Sequence, residues 1–232
     1  MTQPTTDLRD RFLRLQPAVV CDVMDAMGLA NGVLANTIRL VDPKSVLCGV
    51  AFCVRGTRVV GARPAPTSGS RPVFEIDRRL RAGTVFVGET AGCVGAAIGG
   101  NMALAFKQRG AAGIVLDGPV RDVDELIEMG LATAATGTTP MSFKGLFEWS
   151  ELDVPVRMPG QLGQEVVIRT GDVILGDVDG LLVVPAELAA DVARHAAGTM
   201  EMEERIKTDL AQGHDREEVY ARHDRFAHID RG

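Results

Sequence analysis

In LDGPVRDVDEL, residues 116–126, Arg121 stands directly against Asp122, three and four positions after Gly118. A guanidinium is a rigid fork of donors suited to a carboxylate or another oxyanion. A carboxylate is a hard oxygen ligand for a small divalent cation. Side by side, the two could hold an anion and a cation together. The same residues also have a plainer use. Asp122 followed by Glu125 is a D-x-x-E arrangement close to a capping box, and acids in a first helical turn suit the helix dipole. That use accounts for the two acids. It leaves Arg121 at the wrong end of the dipole and gives Gly118 no reason.

A second stretch favours the chemical reading. GCVGAAIGGNMALAFKQRG, residues 92–110, is a glycine-rich loop running straight into a helical pattern. Glycines let a backbone approach a ligand, and the first free N–H groups of a helix favour an anion. Gly99, Gly100, Asn101 and Met102 are the candidate anion-binding positions, with a tight turn capped by Asn101 as the alternative. The loop lacks the Gly-Lys-Ser/Thr ending of a P-loop and the spacing of a dinucleotide fingerprint. A carboxylate is therefore a more natural guest than a nucleotide.

The surrounding sequence reads as β-α units that would carry both stretches. PAVVCDVMDAMG (17–28) starts on a proline, ends on a glycine and has helical apolar spacing. SVLCGVAFCVRG (45–56) reads as a strand with a close backbone approach at Gly49. Residues 61–72, rich in Pro, Gly and Ser, read as an exposed loop, and residues 73–80 as a helix followed by the strand of RAGTVFVGE. Helices closing on Gly110 and Gly130, with short apolar runs between them, suggest β-α units. EVVIRTGDVILGDVDGLLVVP (165–185) alternates β-rich runs with turns, as antiparallel hairpins do. Asp177 and Asp179 fall in such a turn. From about Ala186 the chain is helical, and after Glu201 strongly charged with little to bury.

Composition sets limits. The chain has 232 residues, 46% of them apolar, 26 glycines and a formal net charge of −6. That suits an α/β protein with a real core and argues against an electrostatic hold on nucleic acid or anionic membrane. No run is long and apolar enough to span a bilayer. The first fifteen residues carry Asp7, Arg9, Asp10, Arg11 and Arg14 without an apolar stretch, which speaks against a secretory signal. Cys21, Cys48, Cys53 and Cys93 lie in apolar settings with no C-x-x-C pair and read as reduced core thiols of a cytoplasmic protein. His195, His214, His223 and His228, among charged neighbours, read as solvated tail residues rather than zinc ligands.

RGAAGIVLDGPVRDVDEL, with the helix opening GGN before it and GDVILGDVDGLLVVP after it, resembles the RraA-like family, which includes class II 4-hydroxy-4-methyl-2-oxoglutarate/4-carboxy-4-hydroxy-2-oxoadipate aldolases. VCDVMDAMGLANGVL and LCGVAFCVRG resemble that family's opening helix and first strand, so the likeness covers roughly residues 17–190. The resemblance implies an α/β fold, a compact β/β/α sandwich over 1–185. A helical extension over 186–232 would pack on a neighbouring subunit of a trimer or hexamer. It implies that Arg121 binds the oxygens of pyruvate, that Asp122 ligates Mg²⁺ or Mn²⁺, and that backbone amides near Asn101 and Met102 hold the pyruvate carboxylate. One departure stands out: the family's aldolases carry an acid where this chain has Gly100. Glu89 is a candidate replacement, Lys144 matches a basic residue in a loop facing the site, and one of Glu201, Glu203 and Glu204 could enter a neighbour's site. The expected function is a divalent-metal-dependent lyase that cleaves a 4-hydroxy-2-oxo dicarboxylic acid to pyruvate or decarboxylates oxaloacetate. The alternatives are a metal-dependent enzyme of a different reaction on a 2-oxo-acid-like substrate, or a non-catalytic regulator of RNA degradation.

Overall fold

In the computed structural model, residues 4–59 and 72–229 are described. The chain opens with α1 (Pro4–Phe12) and α2 (Pro17–Ala26), the second started by its proline at the first turn and ended before Gly28, whose φ is 72°. After the short β1 (Arg39–Leu40) comes β2 (Leu47–Arg58), the longest strand. Three β-α units follow: α3 (Pro72–Arg79) and β3 (Thr84–Glu89), α4 (Gly100–Gln108) and β4 (Gly113–Leu116), then β5 (Pro119–Val120), α5 (Val123–Glu128) and β6 (Ala132–Ala135). Gly110 and Gly130 close their helices at φ 79° and 61°, the left-handed conformation that glycine takes without strain. Pro72 opens α3, while the rest of the stretch read as a loop, 61–71, lies outside the described residues.

The remaining elements are β7 (Gly137–Thr138), β8 (Phe147–Leu152), β9 (Val156–Pro159), β10 (Glu165–Ile168), β11 (Val173–Asp177), β12 (Gly180–Val184), α6 (Ala189–Ala211) and α7 (Arg216–Arg222). The main sheet runs β1-β6-β4-β3-β2-β11-β12, with β8 also on β2. Its centre, β2-β3-β4-β6, is parallel, and the flanks are antiparallel. β11 takes the first half of β2 and β8 the second, with a register shift between Arg55 and Gly56. A Cβ at Gly56 would fall on the Phe147 ring, so the shift and the glycine together seat that phenylalanine. The chain around Leu34 bonds to Leu181 on β12, which brings the sheet near closure.

Strand alternation divides the core by face. Phe52, Phe86 and Ile114 point to the side covered by α3, α4 and α5. Ala51, Cys53, Val85, Val87 and Val115 point to the other side, against the β9–β10 hairpin. A third cluster joins α1, α2 and the first half of α6 to β11 and β12. These are the layers of a β/β/α sandwich with a helical extension. Cys48, Cys53 and Cys93 are buried in them and Cys21 half-buried, and burial pushes the Cys48 and Cys53 thiols up to about 11 and about 12.

The tail corrects one expectation. His195 is buried, at 5% exposure, because the chain end folds back over α6. Its carbonyl lies 2.9 Å from His228 Nε2, and the two rings are 5.6 Å apart. His223 lies 2.9 Å from the Asp209 carboxylate and is half-buried, while His214 and His228 are exposed as expected. Arg225 ties the end down. Its Nη2 is 2.6 Å from Asp22 on α2 and 2.5 Å from Glu203 on α6.

Candidate active site

Two turns leave the same end of neighbouring parallel strands. One runs from β3 through residues 90–99 into α4, the other from β4 through Asp117 and β5 into α5. The crevice outside the carboxyl ends of parallel strands is where open α/β sheets place ligands. Backbone bonds stitch the turns together: Ala97 N–H donates to Pro119 O at 3.2 Å and Arg121 N–H to Ile98 O at 3.1 Å. Gly118 belongs to this closeness. A Cβ there would meet the side chain of fully buried Thr90 at 2.6–3.1 Å.

The stitching sets Gly99 and Gly100, at the start of α4, against Arg121, Asp122 and Glu125. Gly99 has an extended backbone, φ −140° and ψ −178°, open to any residue. Space is what requires glycine. A Cβ there would meet Asp122 Oδ2 at 2.7 Å, Arg121 Nε at 2.8 Å and Arg121 Cγ at 3.0 Å. A Cβ on buried Gly100 would fall on a carboxylate oxygen of Glu125 and lie 2.9 Å from its Cδ. The two glycines make room for the site's own side chains, whereas the sequence suggested room for a ligand.

The capping-box expectation is overturned here. Asp122 occupies the N-cap position of α5, but its φ of 57° and ψ of 42° are left-handed and its side chain makes no bond to that helix. Its Oδ2 instead accepts the Gly100 N–H at 2.9 Å and so caps α4. Aspartate tolerates the left-handed region better than most residues, at some cost in strain. Glu125 likewise turns from α5 to α4. Neither orientation is written in the local D-x-x-E spacing, because both depend on which helix start lies across the crevice.

The amide cradle is only partly free. Gly100 N–H is taken by Asp122, and Met102 N–H donates to Gly99 O at 3.1 Å. Asn101 is exposed at the head of α4 and Met102 half-buried beside the α-face core. Arg121 Nε is 3.5 Å from Asp122 Oδ2, with the two side chains 41% and 38% exposed. Among the described residues, no protein acceptor engages the Nη groups of Arg121. Lys144 is exposed on a loop that runs beside the glycine turn through Phe143 N–H to Ala96 O at 3.3 Å.

Other candidates have structural work. Glu89 accepts Arg157 N–H at 2.9 Å and pairs with Arg55 at 3.3 Å, so it does not replace an acid at Gly100. Beside it Asp117 accepts Thr90 N–H at 2.6 Å, and burial pushes its carboxyl above the usual range. Glu89 and Asp117 line a separate cavity of about 460 Å³ with Arg157 and Gln164. Asp177 accepts the Asp179 N–H at 2.9 Å within the β11–β12 turn, as its sequence suggested. Glu203 is held by Arg225 and Glu204 by Lys207, while Glu201 is exposed.

The donor set fits a hard divalent cation. Asp122 offers an accessible carboxylate. Among the described residues no group of three His, Cys, Asp or Glu side chains comes together, so most coordination positions would be left to water and substrate oxygens, as Mg²⁺ prefers.

A family description covering aldolases and RraA proteins, "RraA-like: Aldolase/RraA", matches residues 18–183. The chain belongs to the RraA-like family. A Paraburkholderia phytofirmans protein, provisionally named a 4-hydroxy-4-methyl-2-oxoglutarate aldolase, is 36% identical over 161 residues, 66% of this chain and 88% of that one. A Thermus thermophilus 4-hydroxy-4-methyl-2-oxoglutarate aldolase is 41% identical over 91 residues, covering 39% of this chain and 51% of its own. Among solved structures, an uncharacterized Pseudomonas syringae protein superposes with a TM-score of 0.78 at 25% identity, over 94% of this chain and 99% of the other. Streptomyces coelicolor RraAS2 shares the fold, with a TM-score of 0.75 at 24% identity over 89% and 99% of the two chains. Within this RraA-like frame, the space at Gly100 is filled, by the carboxylate of Glu125.

Proposed function

We propose that this chain is a divalent-metal-dependent carbon–carbon lyase that cleaves a 4-hydroxy-2-oxo dicarboxylic acid to pyruvate, with decarboxylation of oxaloacetate as a related activity. The observation that carries the reading is the meeting of Arg121, Asp122 and the first turn of α4 at the carboxyl ends of the parallel strands. Arg121, Asp122 and Glu125 give the crevice one formal positive and two negative charges. Left alone, that surplus repels an oxo-acid anion. A Mg²⁺ or Mn²⁺ held by Asp122 reverses the sign.

A bound divalent cation supplies electrophilic stabilisation of the oxygen charge that develops as a C–C bond next to a 2-oxo group breaks. The protein supplies the rest. The forked guanidinium of Arg121 grips an oxygen of the 2-oxo acid, an interaction worth about 1.5–3 kcal/mol. Asp122, anchored to the start of α4 through its bond to Gly100 N–H and paired with Arg121, would hold the cation. The positive end of α4 and the N–H of Asn101, between two amides already engaged, favour the substrate carboxylate. The scissile bond then lies among groups that do not need to reorganise.

The test is pyruvate release from 4-hydroxy-2-oxo dicarboxylates and from oxaloacetate with Mg²⁺ or Mn²⁺. Turnover that EDTA abolishes and added metal restores is the expected result. No turnover of any 2-oxo acid, with the wild type matching Arg121→Ala, would overturn the reading.

A further inference from the structure

We propose that Glu125 is the proton-transferring carboxylate of this site, carried by α5 but seated on the start of α4 by the gap that Gly100 leaves. The inference deepens the lyase reading and rests on it. Three observations point the same way. Gly100 begins a helix and its φ is not left-handed, so the backbone does not ask for glycine there. Its missing Cβ is where a Glu125 oxygen lies. The neighbouring glycine does the same for Arg121 and Asp122, so a single pair of glycines admits all three charged side chains to one crevice. A surface acid on a short helix needs no such cavity. Glu125 is also exposed enough for a substrate to reach it.

The division of labour follows. Asp122 is committed to the Gly100 N–H and to Arg121, and its remaining oxygen suits a cation. Glu125, with no ion pair to a protein cation among the described residues, is free to move a proton. In the cleavage, the Glu125 carboxylate takes the proton of the C4 hydroxyl. The O–H pair becomes the new C4 carbonyl bond, the C3–C4 bond breaks, and its electrons pass to the enolate of pyruvate. The carboxylic acid then returns the proton to C3. No proton or electron is gained or lost overall.

The experiment uses the 232-residue chain and five variants. Glu125→Gln keeps the shape and removes the basic oxygen. Its kcat for pyruvate release is expected to fall by roughly 10²–10⁴-fold, the usual share of general acid–base catalysis. Mn²⁺ affinity, measured directly by calorimetry without substrate, is expected to stay within about threefold, too small a change to account for such a loss of kcat. Gly100→Ala places a methyl group where the carboxylate sits and is expected to lose a comparable fraction of kcat with Glu125 intact. Gly100→Asp combined with Glu125→Ala returns a carboxylate to the same space from α4 and should recover at least about tenfold over Glu125→Ala alone. Thermal melts of Gly100→Ala, Glu125→Ala and their double variant read the contact without any catalysis. The alanine at Gly100 should lower the melting temperature less when Glu125 is already gone.

An active wild type matched by Glu125→Gln overturns this inference alone, and so do melts that add with no coupling. A wild type without turnover on any 2-oxo acid overturns the lyase reading and this inference with it.

Discussion

Two arginines in this protein stand against carboxylates, and they differ in how tightly the guanidinium is held. Arg225 holds Asp22 at 2.6 Å and Glu203 at 2.5 Å, its side chain is 23% exposed, and it lies 5.0 Å over the Phe226 ring. Arg121 touches Asp122 through Nε alone, at 3.5 Å, and its side chain is 41% exposed. The first cluster is closed: one nitrogen, Nη2, ties the chain end to α2 and α6, and the guanidinium is largely buried between them. The second is open, with the donors of Arg121 turned to a crevice and a backbone strained at Asp122 to aim its carboxylate across to α4. Like chemistry makes a clamp in one place and a receptacle in the other, and the difference lies in distance and burial.

That contrast is exposed to attack from both sides. The largest effect belongs to Asp122→Asn, because asparagine tolerates the left-handed backbone and removes only the charge. Pyruvate release should drop by about 10²–10³-fold at fixed Mg²⁺, partly recovered by raising the metal concentration, as a kinetic titration would read. Arg121→Ala should lower kcat/KM by roughly 10–150-fold, the equivalent of one charge-assisted bond. For both, the melting temperature should move by no more than about 2–4 °C. A fall as large as that of Arg225→Ala would make Arg121 a second clamp.

Arg225→Ala should do the reverse. Losing a partly buried cation between two acids should cost about 1–3 kcal/mol, discounted for solvent, and lower the melting temperature by several degrees. Activity per folded molecule should hold. The smallest effect tests Asp117, a carboxylate near the crevice but on the structural side. Burial raises its carboxyl above the usual value near 3.9, so folding favours its protonated form. Its contribution to stability is complete below that value and lost as pH rises through the folded one. Asp117→Asn, whose amide oxygen still accepts Thr90 N–H, should therefore melt slightly higher than the wild type at pH 7. The gain should vanish towards pH 4.

Much of this was legible in the sequence. The β-α units stand out because α4 and α5 end on glycines that the backbone holds left-handed, and the arginine–aspartate pair stands out because no helix cap needs its arginine. The acids' destination was not legible. D-x-x-E specifies a helix start, and only the packing of α4 against α5 turns Asp122 and Glu125 away from their own helix. His195 was misread because charged neighbours in sequence suggest solvent, while burial came from a chain end returning from 33 residues away. Glu89 sits at a strand exit, where acids serve equally as ligands or anchors. Arg157, far along the chain, decides for the anchor.

β2 pairs with β3 along one edge and with β11 and then β8 along the other, so its amides are shared among three strands. The turns that carry the Gly99–Gly100 pair and the Arg121–Asp122 pair hang from the ends of β3 and β4 by only a few bonds. Hydrogen exchange should divide along that line. The β2 amides would exchange only with global unfolding, whereas those of the two turns would exchange through local openings of lower free energy. Ligand entry and release then become excursions of the crevice alone, on a clock independent of the one that sets the lifetime of the fold.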